Sequence, residues 1–179
     1  MKKYYSDERL EEIFVQAKNN IFTRGLAIKL EQEMWRSQGQ TADDLYNFLK
    51  LDKKGFYDLF EGPAVVTWVS YATKLGNLKE HPVQFVVISE LEKRFNYLDL
   101  ARMLDYASPR TREMKRLVTS LQKMQFEQWW TKKRWTPKQL ESKLDAQDPK
   151  NAELVRLSFL QKLLLSTQVR SLVVNQASK

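Results

Sequence analysis

Residues 35–51 read WRSQGQTADDLYNFLKL, and residues 129–144 read WWTKKRWTPKQLESKL. With Trp35 set over Trp130, an offset of 95 residues, both segments reach a threonine at the same distance, Thr41 and Thr136. Leu45 and Leu49 then fall over Leu140 and Leu144, and nearly everything between them differs. One large ring, one hydroxyl and two leucines held at fixed spacing suit a buried anchor, a helix cap and the inner face of the capped helix.

The duplication extends in both directions. Upstream, ERLEEIFVQAKNN sets Leu10, Ile13, Phe14 and Ala17 on one helical face, and LDLARMLDYA does the same with Leu100, Met103, Leu104 and Ala107. Downstream, VSYATKL (Val69 to Leu75) matches LSFLQKL (Leu157 to Leu163), placing Tyr71 over Phe159, with the preceding loop seven residues shorter in the second copy. Loops absorb such deletions and packed helices do not. Each copy thus runs from a leucine-rich helix to a tryptophan helix, a threonine-capped leucine helix and an aromatic helix. The division falls after Gly76, giving modules 1–76 and 77–179 joined near Gly76–Pro82. A ring from one helix meeting a Tyr or Phe from another supplies large buried area, so Trp35→Ala or Trp130→Ala is expected to cost about 3–5 kcal/mol.

The periodicity is helical throughout, with helices expected near 6–19, 22–37, 41–51, 62–75, 82–95, 97–107, 110–132, 136–145 and 150–173. VVTWVSY contains β-formers but keeps helical spacing through Val65, Trp68 and Val69 after a Gly-Pro start, and reads as a buried helix. The five prolines sit at helix entrances, where a missing N–H loses no bond. Ser108, Thr136 and Asp148 read as N-caps, and Thr136 with Gln139 as a capping box. Thr41 caps the first copy, with Asp43 and Asp44 favourable to the helix dipole. The fold class is therefore all-α: two tandem helical modules stacked into an elongated rod.

Composition bounds the function. A chain of 179 residues with 42% hydrophobic content fills one ordinary core or two small ones, and without cysteine it has neither disulfides nor thiolate chemistry. No apolar run is long enough to cross a bilayer, and no membrane partner is expected. Residues 1–76 carry 11 basic and 11 acidic side chains; residues 77–179 carry 19 and 11. That basic half supports an alternative reading as a nucleic-acid-binding helical protein. His81 is the sole histidine, beside a proline at a helix start, and reads as a cap or surface residue. There is no P-loop, no Gly-rich nucleotide motif and no HExxH, so neither enzyme chemistry nor a cofactor is expected.

In this order, twice over, these segments resemble the WY and LWY modules of oomycete RXLR effectors. The resemblance rests on Leu10, Ile13, Phe14 and Ala17, then Trp35 with TADDLYNFLKL, then WVSYATKL with Tyr71. It rests again on Leu100, Met103, Leu104 and Ala107, then Trp130 with TPKQLESKL, then LSFLQKL, where Phe159 stands in the family's usual tyrosine position. It implies a secreted virulence effector that acts in the cytoplasm or nucleus of plant host cells, without catalysis, by binding a host protein. Some tandem members of the family recruit a host serine/threonine phosphatase scaffold, and a plant immune receptor is a further partner the resemblance implies. The start, MKKYYSDERLEE, lacks the apolar core of a signal peptide. The resemblance therefore implies a removed leader and leaves room for further modules.

FEQWWTKKRWTPK offers the candidate partner surface: Trp129 and Trp135 around Lys132, Lys133 and Arg134. Basic residues interleaved with rings suit single-stranded nucleic acid by stacking and phosphate contact. They also suit a protein interface, where aromatics and arginine concentrate binding energy. With Trp130 assigned to the core by the repeat, the other two tryptophans are expected to cover a neighbouring helix or to meet the partner.

Overall fold

The computed structural model describes the chain from Asp7 to Lys143, apart from residues 57, 79–84, 137 and 140–141. His81, Pro82, Leu140, Leu144, Asp148, Phe159, the segment LSFLQKL and the expected helix at 150–173 lie outside the described residues. Seven α-helices are delimited among them: α1 (Asp7–Asn19), α2 (Arg24–Ser37), α3 (Ala42–Phe48), α4 (Pro63–Asn77), α5 (Val86–Glu92), α6 (Tyr97–Tyr106) and α7 (Arg112–Thr131), and Lys138, Gln139, Ser142 and Lys143 are helical as well. A 3-10 turn at Leu51–Lys53 follows α3, and no strand occurs among the described residues.

The chain divides into two compact units, Met1–Phe48 and Leu49–Lys179. In the first, α1 packs on α2, with Phe14, Ala27 and Trp35 buried. Lys18 Nζ reaches Glu31 Oε1 at 2.8 Å and ties the two helices. Leu45 and Tyr46 of α3 are each 1% exposed. Leu10 and Ala17 are half-buried, as is Leu49, the first residue of the second unit.

In the second unit, α4 packs on α5 and α7, α5 also on α6 and α7, and α6 on α7. Val65, Trp68, Tyr71 and Ala72 of α4 are fully buried, as are Ile88, Leu91, Leu98, Leu100 and Leu121 from the other helices. Burying a large apolar side chain of this kind contributes about 1.5–3 kcal/mol. The modules expected from the sequence meet after Gly76, whereas the compact units meet at Leu49. As a result α4, which closes the first copy of the pattern, shares a core with the helices of the second.

Two expectations need correction here. Ile13, a core position by the helical spacing of α1, is 45% exposed, whereas its counterpart Met103 is 1% exposed. Met103 lies in the pair of helices α6 and α7, on which α5 packs. Leu26 and Leu30, each one residue before a buried position of α2, are exposed like Ile13. Ser108 was expected to cap α7, but Thr111 is the cap, its hydroxyl accepting from Met114 N–H at 3.2 Å. The proline therefore precedes the cap instead of opening the helix. At α4 the expected form holds, with Pro63 in the first turn after Gly62.

Gly76 marks where α5 returns against α4. A Cβ there would stand 2.7 Å from Val86 Cγ1 and 3.0 Å from its Cβ. A β-branched neighbour yields little. Gly76→Ala is therefore expected to lose about 1–3 kcal/mol in urea unfolding, as overpacked sites do, and Val86→Ala in the same chain should recover most of it.

The start of α3 is closed reciprocally: Asp44 N–H donates to Thr41 Oγ1 at 3.1 Å, and Thr41 N–H donates to Asp44 Oδ2 at 2.9 Å. The Thr41 hydroxyl, at 2.7 Å, and then its N–H hold the Asp44 carboxyl below its usual 3.8. A carboxyl depressed by folding contributes stability above its unfolded pKa and loses it as pH falls through the folded one. The unfolding temperature of Asp44→Asn should therefore fall less than wild type's on acidification below 3.8. The difference is small, because the group is in solvent.

Candidate functional site

The carboxyl end of α7 and the turn after it hold every residue of the candidate partner surface. On α7 the buried positions run Met114, Val118, Leu121, Gln125 and Trp129 at helical spacing. That stripe selects Trp129, not Trp130, as the inward ring. Trp129 is fully buried and Trp130 is 39% exposed. Trp130, placed in the core by the gapless alignment, is at the surface, and Trp129, expected to cover a neighbouring helix or to meet the partner, is the anchor.

The local geometry explains the reversal. Trp35 opens a Schellman ending of α2: Gln40 N–H donates to Trp35 C=O at 2.9 Å and Gly39 N–H to Arg36 C=O at 3.0 Å, with Gly39 at φ 76°. After α7, Trp135 N–H donates to Trp129 C=O at 3.1 Å, and Arg134, just before it, has φ 54°. Each junction then enters a capping box. In the second, Gln139 N–H donates to Thr136 Oγ1 at 3.3 Å, and Thr136 N–H to Gln139 Oε1 at 3.0 Å. Trp129 therefore corresponds to Trp35, Arg134 to Gly39 and Trp135 to Gln40, with one residue inserted in the second turn. The buried periodicity of α7 carried this signal, and equal spacing to the threonine obscured it.

An aromatic cluster fixes the second turn. Trp129 meets Tyr97 edge-on, with centroids 6.0 Å apart and planes at 88°. It also packs on Phe126 at 5.4 Å and Trp135 at 5.6 Å. Trp135 lies 5.0 Å from Tyr97. Lys133 Nζ stands 4.9 Å from the centroids of both Tyr97 and Trp135, and Lys143 Nζ 5.0 Å from that of Trp135. Glu92 of α5 accepts from Trp129 Nε1 at 3.4 Å and from Lys133 Nζ at 3.2 Å. Asn96 caps α6 by accepting from Leu98 N–H, which sets Tyr97 at the helix start. Gln125 donates to Tyr97 C=O at 2.8 Å and Gln128 to Ser89 Oγ at 3.2 Å.

The five candidate residues thus divide by role. Trp129, Lys133 and Trp135 hold the turn together, while Lys132 and Arg134 are exposed, joined by Trp130. Nothing in this arrangement assembles a nucleophile and a base. Among the described residues no group of three or more His, Asp or Glu is placed to hold a metal ion, and no helix is long and apolar enough to cross a membrane.

This all-helical path is that of an RxLR effector: the crystal structure of PcRxLR12 superposes with a TM-score of 0.58 at 25% identity, over 89% of this chain and 40% of that one. The chain belongs to the RxLR effectors of oomycetes. It is 31% identical over 138 residues to the RxLR effector protein PSR2 of Phytophthora sojae, and 28% identical over 130 residues to PexRD25 of Phytophthora infestans. Those matches take in 74% and 70% of this chain. The chain spans 20% of the length of PSR2 and 42% of PexRD25. No family model matches the chain.

The two adjacent tryptophans give a direct contrast. In urea or thermal unfolding, Trp129→Ala should cost about 3–5 kcal/mol, as for a buried ring. Trp130→Ala should stay within about 1 kcal/mol of wild type, as for a surface side chain.

Proposed function

We propose that this chain is the host-acting part of a secreted virulence effector, built of two tandem LWY-like modules, which enters plant cells and binds a host protein without catalysis. The observation that carries this reading is the likeness to Phytophthora RxLR effectors in both sequence and fold, across most of the chain. The end of α7 supports the mode of action. Its polar side chains are engaged in structural ties, and what it offers to solvent is a ring and cations suited to recognition. Modulation of immunity follows from diverting the bound host protein. A phosphatase scaffold and an immune receptor are the partners the effector resemblance suggests.

Expression of the chain in leaf tissue, without a signal peptide, should suppress the defence response to a microbial elicitor. Co-purification from that tissue should recover a defined host complex that a same-sized helical control protein does not. Defence unaltered at matched protein levels, with no host complex recovered, would rule this function out.

The nucleic-acid alternative draws on the basic second half, but the rings it would need for stacking are engaged. Trp129 is buried, and Trp135 lies against Tyr97 and two lysines. One open ring makes a poor platform for successive bases.

A further inference from the structure

We infer that the solvent face of α7, continued by the turn after it, is a docking surface for an extended acidic segment of a partner protein that seats an apolar side chain against Trp130. This inference rests on the effector reading and names the chemistry of the partner.

Arg112, Arg116, Lys123 and Trp130 recur at intervals of four and seven residues and so lie along one side of the helix. All four are exposed. The one acid on that side, Glu127, is within 3.9 Å of Lys123. Lys132 and Arg134 extend the charge past the helix end, and no acid occurs from Gln128 to Leu140. The result is a cationic stripe about 27 Å long ending in an open indole, a length that about eight extended residues match.

The first copy of the junction shows that the fold itself does not require these side chains. Where the second copy has Trp130, the first has Arg36, paired with Glu33 at 2.7 Å on its own helix. Where the second has Arg134, the first has Gly39, the residue that left-handed backbone favours. Among the described non-glycine residues only Lys50 and Arg134 have positive φ. The second junction thus holds a guanidinium at a strained position and an indole that is more than a third exposed. Both are unfavourable for folding alone and favourable for an interface. Carboxylates complement the stripe, and the single open ring favours an apolar anchor over a run of stacked bases.

The test uses fluorescence anisotropy with the whole chain. The probes are a labelled 12-residue peptide of alternating Glu and Leu, the same peptide with Lys for Glu, and a 12-nucleotide uridine RNA. The Glu-Leu peptide should bind, more weakly as salt rises, and the Lys-Leu peptide should not. Trp130→Ala should weaken binding about tenfold, as an interface anchor does. Arg134→Gly should weaken it severalfold while leaving the unfolding temperature equal to or above wild type's, an outcome that a structural role for the arginine would reverse. The inference is overturned if the Glu-Leu peptide fails to bind wild type, if both variants bind it like wild type, or if the RNA binds more tightly than the peptide.

The leaf assay separates this from the broader reading. If wild type and the Trp130→Ala/Arg134→Gly chain suppress defence equally, this surface is wrong and the effector function stands. If wild type itself is inactive in the leaf, the function falls and the peptide result is judged by itself.

Discussion

The buried indole of Trp129 is the constraint on which the second unit depends. It touches Tyr97 of α6, Phe126 one turn back on α7, and Trp135 beyond the helix end, and it donates to Glu92 of α5. One side chain therefore sets the relative position of three helices and the path of the turn that follows. Lys133 reinforces the same closure, bonding Glu92 while lying over two rings. A cation at that place serves the helix dipole, the carboxylate and the π-faces together. It is structural although it sits in a run of basic residues that looks like a binding motif.

The two junctions share a backbone pattern and differ in their side chains. Backbone features persist: a tryptophan carbonyl accepting from beyond the helix end, a left-handed residue, a threonine and its reciprocal partner three residues on. Side chains without a backbone duty are exchanged. Asp44 becomes Gln139, which closes the same box without charge. Divergence on the outside is possible because the hydrogen bonds that end the helix do not depend on those side chains.

The helical class, the seven helices from α1 to α7 and the caps at Thr41 and Thr136 were legible because each rests on a local rule of spacing or capping. Three features were not. Trp129 and Trp130 exchange roles because a turn accepts an extra residue at little cost, whereas the phase of a helix twenty residues long is fixed. The exposure of Ile13 depends on which helices pack on α1, and the pattern along α1 alone cannot reveal that. The left-handed backbone at Arg134 could not be anticipated from an arginine, and only the glycine in the other copy hints at it. Within FEQWWTKKRWTPK, equal spacing to the threonine exchanged the inward ring, Trp129, with the exposed one, Trp130.

The tryptophan doublet has a consequence for the register of α7. If only the last turn were considered, either indole could serve as the anchor, since a twist of about 100° exchanges them. The rest of the helix removes that degeneracy. The same twist would bring Lys115 and Thr119 inward in place of Met114 and Val118, whose burial far from the doublet fixes the phase. Rotational choice at one end is thus settled by aliphatic packing two turns or more away. The second indole is released from the interior and is free to diverge under whatever the outside of the molecule demands.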